Sequence, residues 1–271
     1  MIKNRLIPVL LLKDGWLVQS KGFSRFQKLG NPIVAVKRLS EWAADELIYL
    51  DISREEEYDL ARDDLKHPNR QNFLDIIEDV STFAFMPITV GGKIKTLNDI
   101  EIRLKKGADK VAINTRAVEN LDFIKESAQE FGSQCVVISI DVKLEEKEYI
   151  VYTNGGKKRT NYKVKEWARI VQDYGAGEIL INSIDRDGSR MGYDLNLIQL
   201  VSETVNIPTI ALGGADDWED FEEVLTKTKA DAVAAANIFH YRDQSVYLAK
   251  KYLFDQGLNV RKPFLIEIEK I

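Results

Sequence analysis

Eight strand-like segments alternate with helix-like segments along the sequence, which predicts an α/β protein with a single (β/α)8 TIM barrel. The length of 271 residues fits this fold, which typically needs about 250 residues. An internal repeat supports it, because TVGG and ADKVAIN return half a chain later as ALGG and ADAVAAAN. A doubly wound open sheet is the alternative, but it requires neither eight units nor a repeat. We expect one domain over residues 1–271, with half-barrels of about 1–130 and 131–260.

The strands are predicted from short apolar runs that are rich in β-branched residues. They cover residues 5–12, 46–53, 86–92, 110–115, 135–142, 178–185, 207–214 and 230–239. Most runs are continuously apolar, which is typical of parallel strands buried on both faces.

The helices are predicted from amphipathic patterns between these strands. They cover residues 34–43, 73–80, 99–107, 121–132, 164–175, 195–205, 221–227 and 245–257. Several of them end at a glycine, such as Gly107, Gly132 and Gly175. Glycine is the usual residue just after the last turn of a helix, so these positions indicate helix ends.

Three segments interrupt the alternation. Residues 53–70 form a highly charged insertion after a strand, either a solvated loop or a lid on the catalytic face. Residues 145–160 indicate a small hairpin that turns at Asn154–Gly155. The tail, 260–271, is partly apolar, so we expect it to pack or pair at a position that the sequence does not define.

Composition excludes several classes of protein and site. The net charge of −5, with acids and bases interspersed, argues against a nucleic-acid partner. The apolar run 6–12 is too short to cross a membrane. The single cysteine, Cys135, excludes an internal disulfide and fits a reducing cytosol, so we expect a cytoplasmic protein. No cysteine–histidine cluster or cofactor-binding motif is evident, and we expect neither a metal nor a cofactor.

The repeat places a glycine pair after a strand and before a helix in each half. Glycines allow a ligand to approach the backbone, and a helix start offers N–H groups to an anion. When Gly91–Gly92 is aligned with Gly213–Gly214, the spacing from the first glycine is 23 residues to Asn114 and 24 to Asn237. We therefore predict two phosphate sites that face each other, and a substrate with a phosphate at each end.

Polar residues at the C-terminal ends of barrel strands indicate function. Asp141 is the strongest candidate, because it ends the apolar run VVISI and burial would raise its pKa towards the range useful for acid–base catalysis. Its structural alternative is a cap or a salt-bridge partner. Aligning the two halves sets Leu11 opposite Asp141, so a second carboxylate is missing. The other polar strand ends are Asp51, Lys93, Asn114, Thr115, Asp185, Asp187, Gly188 and Asn237.

Charged residues also stand where four strands begin, at the opposite end of the barrel. They are Arg5, Glu46, Lys110 and Glu178. Opposite charges there can pair into a ring, because buried charges need partners. The alternative, favoured by composition alone, is that each side chain extends to solvent.

Histidines and aromatic residues are weaker candidates for a role in the site. His67 lies in the charged insertion and His240 follows the last strand, and both are expected to be surface or packing residues. Packing is also the expected role of Trp42, Trp167, Phe239 and Tyr241.

From Arg5 to about Val260 the sequence resembles the HisF family, the cyclase subunits of imidazole glycerol phosphate synthase. The matching segments are IPVLLLKDG, DELIYLDI, ITVGGKI, GADKVAINTRAVEN, FGSQCVVISIDVK, GAGEILINSIDRDGSRMGYD, IALGGA and IFH. The resemblance implies a two-fold barrel that binds a doubly phosphorylated substrate, with lyase-type activity in histidine biosynthesis. It also implies a HisH-type glutaminase docked on the barrel bottom, whose ammonia passes through the barrel.

The resemblance assigns roles to several residues. It implies an ammonia gate formed by Arg5, Glu46, Lys110 and Glu178, and a glutaminase contact at Asp109. Its phosphate positions correspond to Gly92, Lys93, Asn114 and Thr115 on one side, and to Asp187, Gly188, Gly214, Ala236 and Asn237 on the other. Lys93 stands where the family has a third glycine, and Leu212 and Asn237 replace serines.

The departures from the family fall in the catalytic set. Its two catalytic aspartates correspond to Leu11 and Asp141, and its loop lysine to Gln19, with Lys21 two residues on. This pattern resembles a HisF-like subgroup of surface-sugar biosynthesis, in which a HisF/HisH-type pair supplies ammonia to a separate sugar amidotransferase. We therefore predict an ammonia-channelling barrel for amidation. The alternatives are a working cyclase in which another group, such as one from the insertion, replaces the aspartate, and a non-catalytic scaffold.

Overall fold

The computed structural model describes residues 3–54, 56–58, 70–240 and 243–265. The strands in these ranges are β1 (Arg5–Lys13), β2 (Trp16–Lys21), β3 (Arg25–Gly30), β4 (Leu47–Asp51), β5 (Ile88–Gly91), β6 (Lys110–Ile113), β7 (Val136–Glu145), β8 (Glu148–Thr153), β9 (Lys158–Lys163), β10 (Glu178–Ser183), β11 (Thr209–Leu212) and β12 (Ala232–Ala235). All eight predicted strands are among them. Residues 59–69, which form most of the charged insertion and include His67, lie outside the described residues. Tyr241 and residues 266–271 of the tail lie outside them as well.

The α-helices alternate with the barrel strands as predicted. They are α1 (Pro32–Glu41), α2 (Phe73–Ser81), α3 (Leu97–Lys105), α4 (Thr115–Glu119), α5 (Asp122–Phe131), α6 (Val164–Asp173), α7 (Leu195–Ser202), α8 (Trp218–Lys227) and α9 (Ser245–Asp255). Only the short α4 has no counterpart in the sequence prediction. The glycines predicted to end helices, Gly107, Gly132 and Gly175, all have positive φ angles just beyond α3, α5 and α6.

Eight strands close into a barrel through parallel pairing alone. The order is β1, β4, β5, β6, β7, β10, β11 and β12, and β12 pairs with β1 to complete the circle. The predicted (β/α)8 barrel is therefore confirmed, and the open-sheet alternative is wrong. In this fold the C-terminal strand ends share one face, so the polar strand ends lie around one mouth.

A hairpin follows the first strand of each half of the barrel. β2 and β3 extend β1 by antiparallel pairing, and β8 and β9 extend β7 in the same way. The second hairpin turns through Asn154–Gly155, both with positive φ, as predicted. The first was not predicted, because its turn, with positive φ at Gly22 and Phe23, contains no asparagine–glycine pair.

The core consists of two layers separated by the barrel sheet. The inner layer contains Ile7, Val9, Ile48, Ala112, Val137, Leu180, Ile210, Leu212, Ala232 and Ala234. The outer layer lies between the strands and the helices and includes the predicted packing residues Trp42, Trp167 and Phe239. Seven of the eight barrel strands, all except β5, contribute apolar residues to both layers, so their sequences are continuously apolar. No helix among the described residues is long and apolar enough to cross a membrane.

At the bottom of the barrel, carboxylates accept hydrogen bonds from backbone groups at the starts of neighbouring strands. Asp45 accepts a hydrogen bond from the Leu6 backbone N–H, and Asp231 accepts one from Thr209, each at 2.9 Å. Val260 pairs with Asn4 in an isolated parallel bridge, so the beginning of the tail lies on this face. The bottom is thereby held by side-chain bonds between neighbouring strands as well as by the sheet itself.

Candidate active site

Asp141 is a buried carboxyl group at the mouth of the barrel. Asp141 points inwards from β7, since side chains alternate along a strand and Val137 on the same face belongs to the inner core layer. Its Oδ2 accepts a hydrogen bond from Asn114 Nδ2 at 2.9 Å, and Asn182 Nδ2 lies 3.5 Å from Oδ1. The predicted burial is observed, with 8% of its surface exposed, but β7 continues beyond this residue to Glu145 and pairs there with β8.

Burial changes the protonation of this group. Loss of solvation raises the pKa of Asp141 from its ordinary 3.8 to about 7, and the negative charge of Asp187 acts in the same direction. The hydrogen bonds from Asn182 and Asn114 act against this rise, because they favour the ionised form. A carboxyl group with a pKa near neutrality can both give and take a proton, which suits general acid–base catalysis.

The position equivalent to Asp141 in the first half is apolar. Leu11 pairs with Leu50 across β1 and β4, whereas Asp141 pairs with Asn182 across β7 and β10. Both leucines pack against the inner core layer. At these paired positions one half therefore offers a carboxyl and an amide, and the other offers only hydrocarbon. Leu50 and Asn182 were missed from the sequence, although Asn182 is visible as a polar interruption of the run EILIN.

The structure matches Gly92 of the first glycine turn with Gly213 of the second, one residue away from the alignment made on the sequence. Gly92 and Gly213 both have φ of 99°. A Cβ on Gly92 would meet the Asp51 carbonyl oxygen at 2.0 Å, and one on Gly213 would meet the Ser183 carbonyl oxygen at 2.9 Å. Each glycine therefore passes directly over the end of the preceding barrel strand, where only glycine fits.

The caps of the helices that follow the two glycine turns support the same correspondence. Asp99 accepts hydrogen bonds from the backbone of Lys95 and Thr96 at the start of α3, and Asp220 accepts them from Asp216 and Asp217 at the start of α8. Counting back from these caps, Lys93 is the counterpart of Gly214. The sequence alignment, which matched Gly92 with Gly214, was wrong because one extra residue lies between the proline and the glycines of the second copy.

In the second half, the predicted phosphate residues surround one cleft. Its lining includes Asp187, Gly188, Gly214, Ala236 and Asn237. The first hairpin reaches over it, since Ser20 Oγ donates to the Asp187 carboxylate at 2.7 Å and Asn237 Nδ2 donates to the Ser20 carbonyl at 2.9 Å. Burial raises the pKa of Asp187, against the effect of its hydrogen bonds from Ser20 and the backbone of Phe23 and Gly22.

In the first half, the predicted phosphate residues are already engaged with the protein. Asn114 holds Asp141, and Thr115 Oγ1 accepts a hydrogen bond from the Asn154 backbone at 3.1 Å in the second hairpin. Lys93, which has a left-handed backbone with φ of 57°, places its Nζ 3.1 Å from the Asp51 carboxylate. Each hairpin thus contacts residues of the opposite half that were predicted to bind phosphate.

Asp51 is the centre of a buried network behind the first glycine turn. Its carboxylate accepts hydrogen bonds from Ser53 Oγ at 2.5 Å and Tyr58 Oη at 3.0 Å. Burial and the Asp51 charge raise the pKa of Tyr58, so its hydroxyl stays protonated. Arg103 of α3 donates to the Gly92 carbonyl at 3.0 Å from the other side of the turn. Tyr58 and Arg103 were not among the predicted residues, although a charged residue between Ile100 and Leu104 interrupts an apolar helix face.

The four charged residues at the strand starts form a closed ring. Arg5 Nη1 lies 2.7 Å from Glu46 and 2.9 Å from Glu178. Lys110 Nζ lies 3.2 Å and 3.0 Å from the same two carboxylates. The solvent-exposed alternative is wrong, because each charge meets two opposite charges inside the barrel bottom.

The remaining candidates lie away from these contacts. Asp109 is exposed at the barrel bottom, where its carboxylate accepts a hydrogen bond from the Ile88 backbone at 2.8 Å. Burial, with a smaller effect of Arg38, lowers the pKa of His240 to about 4, so its imidazole is neutral at neutral pH. Gln19 Nε2 donates to Gln27 across the first hairpin at 3.0 Å. Within the described ranges, no cluster of acidic, histidine or cysteine side chains has the composition of a metal site.

Comparisons with known proteins agree with this architecture. The family model described as "Histidine biosynthesis protein" matches residues 5–245. Imidazole glycerol phosphate synthase subunit HisF of Geobacillus kaustophilus (strain HTA426) is 44% identical over 263 residues, which cover 96% of this chain and 100% of that protein. The subunits of the same name from Bacillus subtilis (strain 168) and Hydrogenobaculum sp. (strain Y04AAS1) are 42% and 43% identical, with the same coverage.

Proposed function

The chain belongs to the HisF family of imidazole glycerol phosphate synthase subunits, and we propose that it receives ammonia from a HisH-type glutaminase for amidation chemistry in surface-sugar biosynthesis. In this proposal the two subunits form a heterodimer in the cytoplasm. The ammonia serves a phosphorylated small molecule or a separate sugar amidotransferase. A cytoplasmic location is supported by the single cysteine in 271 residues.

The contrast between Leu11–Leu50 and Asp141–Asn182 carries this proposal. Cyclisation with two proton transfers across a two-fold mouth calls for an acid and a base on opposite sides. Here one side has Asp141 with its pKa at about 7, and the other has two leucines that pack on the inner core. A leucine side chain has no proton to give or accept, and loss of an acid–base group typically costs about 10²–10⁴ in rate.

The charged ring supports the transfer of ammonia through the barrel. Arg5, Glu46, Lys110 and Glu178 close the bottom, opposite the mouth that contains Asp141. Their charges cancel, so the passage presents no net charge to a neutral ammonia molecule. Glutaminase docking against this face, at the exposed Asp109, would deliver ammonia directly to the ring. We propose these five residues as the gate and the partner contact.

A working imidazole glycerol phosphate synthase cyclase is the second candidate function. It is favoured by the near-neutral pKa of Asp141 and by the names of relatives that match along their whole length. In this case another group must take over the work of the missing aspartate. The candidate is Asp51, a buried carboxyl group that accepts a hydrogen bond of 3.0 Å from Tyr58 of the insertion.

A cyclase assay separates the two candidates. Purified protein and its Leu11→Asp variant are given the doubly phosphorylated nucleotide of the histidine pathway and excess ammonium salt, and the formation of imidazole glycerol phosphate is measured. We expect no turnover by the natural chain and a gain in Leu11→Asp, because the variant restores a second carboxyl at the mouth. A Leu11→Asn variant, of the same size but with little acid–base strength, is the matched control.

The opposite outcome identifies a cyclase. Turnover by the natural chain within about tenfold of a competent enzyme, that is a difference of about 1.4 kcal/mol in activation free energy, would contradict the amidation proposal. Absence of a gain in Leu11→Asp would show that Gln19, Lys93 or the insertion has also altered the pocket.

A further inference from the structure

Asn182 lies between Asp141 and the glycine turn of the second half. It faces the barrel interior, since Leu180, two residues earlier on β10, belongs to the inner core layer. It pairs with Asp141 of β7 on one side and with Leu212 of β11 on the other. Only 7% of its surface is exposed. Its amide is therefore a buried polar group enclosed by two neighbouring strands.

The two ends of this amide have unequal surroundings. Nδ2 points to Asp141 and lies 3.5 Å from Oδ1 of the carboxyl group. Oδ1 of the amide has no hydrogen-bond partner among the described residues. It lies next to Gly213, because a Cβ on that glycine would be 2.9 Å from it and 2.9 Å from the Ser183 carbonyl oxygen. Two acceptors thus stand on the same side of the amide.

A half turn of the amide reverses this arrangement. The torsion that ends an asparagine side chain is broad and two-fold, and exchanging the oxygen with the NH2 group hardly changes the shape of the side chain. After the turn, the NH2 group lies on the side of the Ser183 carbonyl, and the amide oxygen faces Asp141. That oxygen can bond to the carboxyl only when the carboxyl carries a proton. The favoured orientation of Asn182 therefore depends on the protonation of Asp141.

The hydrogen bonds of Asp141 direct its proton to the oxygen beside Asn182. Asn114 Nδ2 donates to Oδ2 at 2.9 Å, whereas the contact of Oδ1 with Asn182 Nδ2 is longer, at 3.5 Å. The oxygen with the weaker donor takes a proton more readily, because hydrogen bonds to a carboxylate favour its ionised form. Since that oxygen faces Asn182, a rotated amide accepts the new O–H directly.

The charged groups around Asp141 do not take the place of the amides. Asp187, in the loop after β10, acts on Asp141 through its negative charge and not through a hydrogen bond. Tyr152 of β8 stands opposite Asp141 but donates to Glu145, and Lys143 of β7 lies 4.7 Å from the centre of the Tyr152 ring. Within the described part of the chain, the carboxyl group is bonded by the two asparagine amides alone.

We propose that Asn182 is the positioning residue of Asp141 and bonds to it in both protonation states. Its NH2 group donates to the carboxylate, and after a half turn its oxygen accepts the O–H of the acid. Asp141 then gives and takes a proton without leaving a buried group unpaired. Leu50 stands at the matching place beside Leu11, so the first half offers no such support. This inference rests on the proposed role of Asp141 in acid–base chemistry.

The pKa of Asp141 in variants of Asn182 tests the inference. It is measured on the full chain by pH titration of ¹³C-labelled aspartate carboxyl carbons, and the Asp141 signal is identified by its absence in Asp141→Asn. We expect Asn182→Leu to raise the pKa by about 0.5–1 pH unit, because the bond lost to the carboxylate is stronger than the bond lost to the neutral acid. Asn182→Thr should keep the pKa within about 0.3 pH unit of the natural chain, since a hydroxyl both donates and accepts.

Asn196→Leu is the matched control for these titrations. It makes the same change at an exposed position of α7 and should leave the pKa of Asp141 unchanged. An unchanged pKa in Asn182→Leu, or a pKa in Asn182→Thr as high as in Asn182→Leu, would overturn the inference.

The rotation itself is tested in the natural chain, so the outcome does not depend on the folding of a variant. Nuclear Overhauser contacts between the Asn182 NH2 protons and the Gly213 Hα protons are recorded from pH 9 to pH 5. We expect them to strengthen as the pH falls, with a midpoint at the pKa of Asp141, because the rotated NH2 group lies beside Gly213. Contacts of constant strength over this range would contradict the rotation and overturn the inference. Neither measurement needs ammonia or a substrate, so its failure is distinguishable from failure of the Leu11 assay.

Discussion

Asp141 is the residue that we propose for acid–base chemistry at the mouth, and its environment couples its protonation to stability. The carboxyl is buried beside two amides and has its pKa raised to about 7. Asn182 Oδ1 has no hydrogen-bond partner among the described residues, so an acceptor stands near the carboxyl in its protonated form. A group held this way changes charge within the physiological range of pH.

The raised pKa predicts a specific dependence of stability on pH. Below the ordinary pKa of 3.8 the carboxyl is protonated in both the folded and the unfolded state, so it does not lower the free energy of unfolding. As the pH rises to about 7, the unfolded state loses its proton first. The folded state therefore becomes less stable relative to the unfolded state over this range. Asp141→Asn removes this loss. We expect the variant to exceed the natural chain in unfolding free energy by about 1–4 kcal/mol at pH 8, and by much less at pH 5.

Urea unfolding at the two pH values measures this difference. Asp185→Asn is a suitable control, because Asp185 is an exposed carboxylate on the same face that accepts a hydrogen bond from the Leu144 backbone. A difference between natural chain and Asp141→Asn that stays constant from pH 5 to pH 8 would contradict the raised pKa.

Among the elements, α9 is attached to the barrel by an unusual buried ion pair. Lys250 and Asp45 are 1% and 2% exposed, and their charged atoms lie 2.9 Å apart. Lys250 Nζ also donates to the Ala43 carbonyl at 2.8 Å, while the other oxygen of Asp45 binds the Leu6 backbone. One helix is thereby linked to the starts of β1 and β4, next to the charged ring.

Removal of this lysine should destabilise the whole fold. Lys250→Met leaves Asp45 buried with only the more distant Arg261, at 3.7 Å, and we expect a loss of about 3–5 kcal/mol in unfolding free energy. The neighbouring Lys251 forms an exposed pair with Asp255 on the same helix, so Lys251→Met should cost about 0.5 kcal/mol or less. Chemical unfolding of both variants decides the point, and equal losses would contradict it.

For the whole molecule, the charged ring connects strands from both halves of the barrel. Arg5 opens the first barrel strand, Glu46 directly precedes the second, Lys110 opens the fourth, and Glu178 opens the sixth. We propose 1–130 and 131–260 as the two repeat units. In this division Glu178 is the contribution of the second unit, and its bonds to Arg5 and Lys110 cross between the units.

A double-mutant cycle tests whether the ring acts as a unit. Arg5→Met leaves two carboxylates against Lys110 alone and should cost about 3–5 kcal/mol. Adding Glu178→Gln removes one of those carboxylates, so the double variant should be more stable than the sum of the single losses by about 1 kcal/mol or more. The exposed pair Lys163–Glu148 is the reference, with an expected coupling of about 0.2–1 kcal/mol. Additive losses at the ring, measured by urea unfolding, would count against it.

The order of strands, the barrel and its hairpin at Asn154 follow from the sequence, because they depend on local patterns that neighbouring residues carry. Apolar runs fix the strands, helical spacing and glycines fix the helices, and the repeat indicates the two-fold arrangement. Asp141 was also predictable, since it directly follows the apolar run VVISI in the sequence. The first hairpin was missed, because no asparagine–glycine turn marks it.

Contacts between distant residues were decided only by the tertiary structure. The sequence could not choose between a ring and four solvent-exposed charges, since the choice depends on distances between strands up to 173 residues apart in the chain. Nor could it pair Lys93 with Asp51, or show Arg103 buried behind the same turn. The sequence gives the charge of each side chain. The burial of that charge and the partner that balances it arise only when the barrel closes. Burial and pairing together determine what the mouth can bind.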